Sequence, residues 1–285
     1  MPATHLIQMS DAGLDSSIPV SAVDEFGAIR EQHIAAERPL TLYIDKREIV
    51  TLMTLGTHPE LLILGWLRNQ RLIDRPQRIR AIQVDWETES VAVTTHEGID
   101  NLDGRLSRKT VTTGCGQGTV FGGLLDELDQ IQLNPARVNQ SKIYALLDNL
   151  NAHNEVYKRA GAVHGCALCR DTSVLHFVED VGRHNAVDTL AGLMWLEDMR
   201  GDDLCFYTTG RLTSEMVMKV AQMGIPLLLS RSGLTQMGLD LARRLGVTLI
   251  ARAKGKHFLV YHGAENIQFD APPEPHPAAN HRQAV

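Results

Sequence analysis

The sequence predicts a mixed α/β protein, with a β-rich N-terminal part followed by a layered α/β domain. Three observations predict it. Short alternating apolar segments dominate to about residue 104, and strand-like and helix-like segments then alternate through the C-terminal half. Hydrophobic content of 44% with 22% charged residues is that of an ordinary globular chain, and 285 residues suffice for one large core or two smaller ones.

Residues 1–17 are polar and aperiodic and are expected to be disordered. A β-rich subdomain is expected over 18–104. It opens with SIPVSAVDEF, then PLTLYID and EIVTLM, the last two separated by the turn formers Asp45 and Lys46. In HPELLILGWLRNQ, Leu61, Leu62, Gly65 and Trp66 recur at helical spacing, with Thr57 expected as N-cap and Pro59 in the first turn. Two more strands, RIRAIQVDW and SVAVTTH, are joined by a polar turn at 87–89.

The second part, expected over 105–262, begins with the loop TTGCGQG at 112–118. A helix follows whose stripe of Ile143, Leu146, Leu147 and Leu150 reads as core packing, after the capping candidates Asn139 and Ser141. AVHGCALC and SVLHFVED read as a strand pair turning at 170–172. A helix over 182–195, the strand DLCFYTT, the helix TSEMVMKVAQM, the strand PLLLS, the helix TQMGLDLARRL and the strand VTLIARA complete an alternation that implies at least partly parallel strands. Residues 263–285 end in a Pro- and Ala-rich stretch and are expected to be unstructured.

The net charge of −6 argues against bulk binding to nucleic acid, and no nucleic-acid motif occurs. The start has neither a basic nor an apolar leader region, and no apolar run is long enough to span a bilayer, so a cytoplasmic protein without membrane contact is expected. Four cysteines, Cys115, Cys166, Cys169 and Cys205, are too few for a disulfide scaffold of this size.

Cys115 stands between Gly114 and Gly116, so no neighbouring side chain shields its sulfur, and Arg108 and Lys109 place positive charge upstream that favours the thiolate. A tight turn with an inward-pointing cysteine is the plainer alternative. Two strand-to-helix junctions are equipped for an anion. In TTGRLTSE, Gly210 permits close backbone approach, Arg211 supplies donors, and Thr213 or Ser214 caps the helix; SRSGLTQ repeats this with Arg231 and Gly233. The stretch Arg252, Ala253, Lys254, Gly255, Lys256, His257 reads either as a solvated hairpin turn or as a grip on diphosphate. In EDVGRHNAVD, His184 and Asp188 share a helix face, so a histidine oriented by that carboxylate is feasible, beside a purely structural charge network. His164, Cys166 and Cys169 could suggest zinc, but a fourth ligand is missing and the two thiols of a strand would face opposite sides. Cys205, in an apolar strand, reads as core.

Taken together, THPELLILGWL, TTGCGQG, EDVGRHNAVD, TTGRLTSEMVMKVAQMGIPLLLSRS and AKGKHFLVY closely resemble the formate dehydrogenase accessory sulfurtransferase family, over about residues 39–261. The resemblance implies a larger domain similar to the cytidine deaminase fold without its zinc, and a homodimer. It implies a carrier that takes sulfur as a persulfide from a cysteine desulfurase and passes it to the molybdenum cofactor, Mo-bis-molybdopterin guanine dinucleotide, before insertion into formate dehydrogenase. By position, Cys115 matches the persulfide cysteine and residues 252–257 match the cofactor-binding segment, with Arg211 and Arg231 assisting and GDP as a partial mimic. The family commonly carries CxxC in the loop, whereas here the second position is Gly118. Either the first cysteine suffices, or Cys166 or Cys169 takes the partner role. The alternative functions are a cofactor chaperone without sulfur chemistry and, third, a zinc-binding protein.

Overall fold

The structure, a computed structural model, describes residues 7–102, 104, 110, 111, 118, 119 and 131–273. Its first part comprises β1 (Gln8–Met9), β2 (Ser17–Val23), β3 (Ile29–Ala35), β4 (Arg38–Ile44), β5 (Arg47–Thr54), α1 (Pro59–Asn69), β6 (Ile79–Asp85) and β7 (Ser90–Thr95). Five strands form one sheet in the order β1-β6-β7-β4-β5. Its inner face, with Leu40, Leu42, Leu52, Ile82, Val91 and Val93, packs on Leu62, Ile63, Trp66 and Leu67 of α1. Each such side chain fully buried contributes about 1.5–3 kcal/mol, so this cluster decides that the two strand pairs and the helix fold as one layer pair. Pro59 opens α1, where its missing N–H costs nothing, and the N-cap position falls on His58 rather than Thr57.

Two expectations of disorder are corrected. The N-terminal segment is fixed from Ile7 onward: β1 pairs parallel with β6, Glu60 Oε1 accepts from Ser10 Oγ at 2.6 Å and Ala12 N at 2.8 Å, and Trp86 Nε1 donates to Ala12 O at 2.7 Å. These partners lie 48 or more residues away, which is why local polarity gave no sign of them. Strands β2 and β3 form a separate hairpin whose turn is held by Asp24, with Val23, Phe26 and Ile29 exposed.

The second part comprises β8 (Thr110–Val111), β9 (Gly118–Thr119), β10 (Val138–Asn139), α2 (Gln140–Leu150), α3 (Glu155–Ala160), β11 (His164–Arg170), β12 (Ser173–Asp180), α4 (Arg183–Leu196), β13 (Cys205–Thr208), α5 (Ser214–Gln222), β14 (Leu227–Ser230), α6 (Gln236–Leu245), β15 (Thr248–Lys254), β16 (His257–His262) and β17 (Ile267–Gln268). A six-stranded sheet runs β12-β11-β13-β14-β15-β16, parallel at its centre from β13 to β15 and antiparallel at both flanks. Strand alternation splits its side chains: Cys166, Leu168, Phe206, Leu228 and Leu249 meet α4, α5 and α6, whereas Ala167, Cys169, Cys205, Tyr207 and Ile250 meet the predicted stripe of α2. The chain after β16 is also ordered as far as residue 273. β17 pairs with β10, and Asp270 accepts from Asn139 Nδ2, Ser141 N and Ser141 Oγ. Those contacts, led by the Ser141 hydroxyl, pull Asp270 down to about 2.

The two parts meet helix against helix. A Cβ at Gly65 of α1 would lie 1.7 Å from Asp188 O of α4, and one at Gly192 of α4 would lie 2.0 Å from Leu61 O, so the two backbones touch where neither bears a side chain. From Arg183 to Gly192 every residue of α4 is buried, because α1 covers one side of it and the large sheet the other. Among the described residues no helix is long and apolar enough to cross a membrane.

Candidate functional site at the carboxyl edge of the large sheet

The parallel strands β13, β14 and β15 end at one edge, and the antiparallel β11 begins there. Thr208 stands opposite Ser230 and Cys166, and His164 stands opposite Asp180, the last residue of β12. The loops leaving this edge are stitched to one another. Leu212 N donates to Gly233 O at 2.9 Å, Thr235 N to Leu212 O at 3.1 Å, and Arg252 N to Ser232 O at 2.9 Å. The hydroxyls at the strand ends shape these loops: Thr208 Oγ1 accepts from Gly210 N, and Ser230 Oγ donates to Gly210 O and accepts from Ser232 N.

This edge gathers positive charge in a chain of net charge −6. His164 is held below its ordinary range by burial first and then by the fields of Arg183, Arg211 and Arg231, so all three guanidinium charges lie within electrostatic reach of its imidazole. Gly210 is a glycine for a reason beyond the turn: a Cβ there would lie 2.7 Å from Cδ of Arg183, whose stem crosses it. Arg231 lies over the ring of Tyr157, 5.6 Å from its centroid, a cation–π contact that holds the guanidinium near that ring. Thr213 occupies the N-cap of α5 as expected, but its buried hydroxyl has no partner among the described residues; Thr235 does cap α6, accepting from Gly238 N at 3.2 Å.

The structure brings the predicted Arg211, Arg231 and the 252–257 stretch to this same edge. Arg252 takes φ +53 in a bulge, an uncommon backbone state for a side-chain-bearing residue that costs of order 1 kcal/mol, and its N–H bond to the Ser232 loop holds it there. Arg252, Lys254, Lys256 and His257 are exposed around the turn at Gly255, while Ala253 points into the core beneath α2. Arg183 and His164 complete the cluster. Sequence reading put Arg183 in a capping network and His164 in a zinc alternative, because only the strand order places them beside Arg211.

The histidine–carboxylate pairing in α4 is corrected. His184 Nε2 lies 3.4 Å from Glu215 Oε2 of α5, while Asp188 takes Lys219 Nζ at 2.8 Å and Asn69 Nδ2 at 2.6 Å. Burial opposes the charge of Lys219, but Asp188 and Glu215 together outweigh it and hold the amine above its usual range. A cleft of about 300 Å³ lies elsewhere, lined by Ser16, His58, His153, Glu155, Phe177 and Glu179; its carboxylates make it the wrong surface for a phosphate.

The cysteines divide sharply. Cys115 lies outside the described residues; the flanking strands β8 and β9 pair antiparallel, Val111 opposite Gly118. Cys166 Sγ sits 3.3 Å from Thr208 Oγ1, fully buried, and burial pushes its thiol up to about 12. Burial likewise pushes Cys169 up to about 12 and Cys205 well above the thiol range. Cys166 and Cys169 face opposite sides of the sheet, so they cannot grip one ion together.

Known proteins share this sequence pattern and fold. The chain is 28% identical over 241 residues to the sulfur carrier protein FdhD of Bacillus subtilis, covering 84% of this chain and 91% of that protein. It is 26% identical over 241 residues to the sulfur carrier protein FdhD of Listeria innocua, covering 83% and 92%. The crystal structure of a formate dehydrogenase accessory protein from Desulfotalea psychrophila superposes with a TM-score of 0.70 at 28% identity, covering 89% of this chain and all of that one. The profile of the FdhD/NarQ family matches residues 35–268, from the end of β3 to the end of β17. That span takes in the whole six-stranded sheet, four of the five strands of the smaller one and every described helix, and the chain belongs to the FdhD/NarQ family.

Proposed function

We propose that this chain is a sulfur carrier in the maturation of formate dehydrogenase, and that its carboxyl-edge site holds the phosphates of the molybdenum cofactor's guanine dinucleotides. The observation that carries the site is the convergence of Arg183, Arg211 and Arg231 on His164, with Lys254, Lys256 and His257 at the end of the neighbouring strand β15. Guanidinium forks and exposed ammonium groups match the oxygens of a diphosphate, and the positive end of the α6 dipole adds to the pull. Mo-bis-molybdopterin guanine dinucleotide is the substrate on this reading, and GDP is its accessible stand-in. A cysteine desulfurase is the donor, formate dehydrogenase the recipient of the finished cofactor, and the carrier works as a homodimer.

The carrier atom is the sulfur of Cys115. Its thiolate attacks the outer sulfur of the desulfurase persulfide; a new S–S bond forms at Cys115, the old one breaks, and the desulfurase cysteine leaves as a thiolate. In delivery the outer sulfur is released from Cys115, which leaves as a thiolate; because that sulfur ends as a sulfide ligand of the cofactor, it takes up two electrons, supplied by a thiol reductant that is oxidised to the disulfide. The other three cysteines are buried and protonated, which leaves them unsuited to nucleophilic attack and removes the reason for moving the missing partner role to Cys166 or Cys169.

Intact mass spectrometry after incubation with desulfurase and cysteine tests this: one added sulfur is expected on the wild type and none on Cys115→Ala. A Cys115→Ala protein that still supports formate dehydrogenase overturns it. Gly118 favours a second reading, a cofactor chaperone without sulfur chemistry, and full rescue of formate dehydrogenase by a variant lacking all cysteines would establish that one.

A further inference from the structure

We propose that Asp180 is a positioning residue for the anion site: clamped to the end of β5, it sets the turn over residues 180–185 so that Arg183 crosses Gly210 and reaches the ligand. This rests on the reading of the carboxyl edge as a diphosphate site, and assigns the part of the fold that orients its most buried cation.

Asp180 is 3% exposed, and its carboxylate takes four donors from two directions. Oδ1 accepts from Gly182 N at 3.0 Å and Asn185 Nδ2 at 2.7 Å, which closes the turn that leads into α4. Oδ2 accepts from Thr54 Oγ1 at 2.6 Å and Leu55 N at 3.1 Å, which belong to the end of β5 and the loop after it. Asn185 strengthens the same joint by donating to Met53 O at 2.7 Å. Arg183 sits in the middle of this turn, 5% exposed, with its stem against Gly210. The clamp therefore joins the smaller sheet to the segment that carries Arg183. Burial lifts the carboxyl above its usual range even against four hydrogen bonds, so the charge is kept at a cost. An apolar residue would fill the volume without that cost, but it would leave four buried donors unsatisfied and the turn undirected.

The test is a double-mutant cycle read by calorimetry with GDP, alongside thermal unfolding of each variant. Arg183→Ala is expected to weaken GDP about tenfold, the weight of one charge-assisted hydrogen bond. Asp180→Asn keeps the volume but turns one acceptor oxygen into a donor, and is expected to weaken GDP by a similar factor in the wild type and by less than about twofold in the Arg183→Ala background. A residue that merely stabilises the fold would lower the melting temperature with equal loss of affinity in both backgrounds, and that additive result overturns the proposal. So does unchanged affinity in Asp180→Asn. If wild type binds no GDP, or Arg183→Ala binds as the wild type does, the diphosphate reading itself falls and the clamp's role with it. Should Asp180→Asn not fold, Thr54→Val, which removes one donor, replaces it in the same cycle and is judged by the same outcomes.

Discussion

At the scale of single residues, His184 shows what burial does to a titratable group. Burial first, and then the charge of Lys219, hold it down to about 3, although Glu215 pulls the other way. Its folded value lies below its unfolded value of about 6.5, so in acid the unfolded chain binds the proton more readily. The stability it permits is therefore complete above about pH 6.5 and is lost as pH falls toward 3. About 2 kcal/mol should disappear between pH 6.5 and 5, seen as a falling urea midpoint. Asp180, lifted by burial, acts in the opposite direction, so the quantity to read is the difference between wild type and His184→Gln, whose curve should be flatter. Equal slopes would refute the assignment. Sequence spacing offered Asp188 as the partner of His184; it could not offer Glu215, because α5 is a separate helix that the chain reaches only after passing through β13.

At the scale of elements, the contact of α1 with α4 depends on two hydrogen atoms where side chains would otherwise stand. Gly65→Ala forces a methyl toward Asp188 O and must separate the helices, and a loss of about 3 kcal/mol is expected by denaturant titration, with Gly192→Ala behaving alike. A loss below about 0.5 kcal/mol would mean that the helices slide apart freely. Helices α1, α2, α5 and α6 were legible because their apolar residues keep helical spacing over nine or more positions, whereas α4, buried on every side from Arg183 to Gly192, was legible from its place in the alternation of strands and helices. The six-residue α3 was not: too short to show a period, it is held instead by Glu179, which accepts from Val156 N and Tyr157 N at its start. The fixed segments at 7–16 and 263–273 escaped because Glu60 and Asp270 act on residues far away in sequence.

At the scale of the whole molecule, the candidate site belongs to no single segment; it is an edge that strand order assembles from the β13, β14 and β15 exits and the start of α4. Lys254→Ala combined with Lys256→Ala removes two exposed ammonium groups from that edge and is expected to weaken GDP about tenfold at low salt, with the gap narrowing as salt rises. Unchanged affinity in calorimetry would remove the β15–β16 hairpin from the site. Arg211, Arg231 and the 252–257 stretch could be picked out beforehand because each sits in a local glycine-bearing turn with its own signature. Arg183 and His164 could not, since their nearness depends on β11 running antiparallel between β12 and β13. The three sealed thiols also make the native protein its own blank for labelling chemistry. A bulky maleimide that reacts before denaturation can report only Cys115, and unfolding should raise the count to all four cysteines.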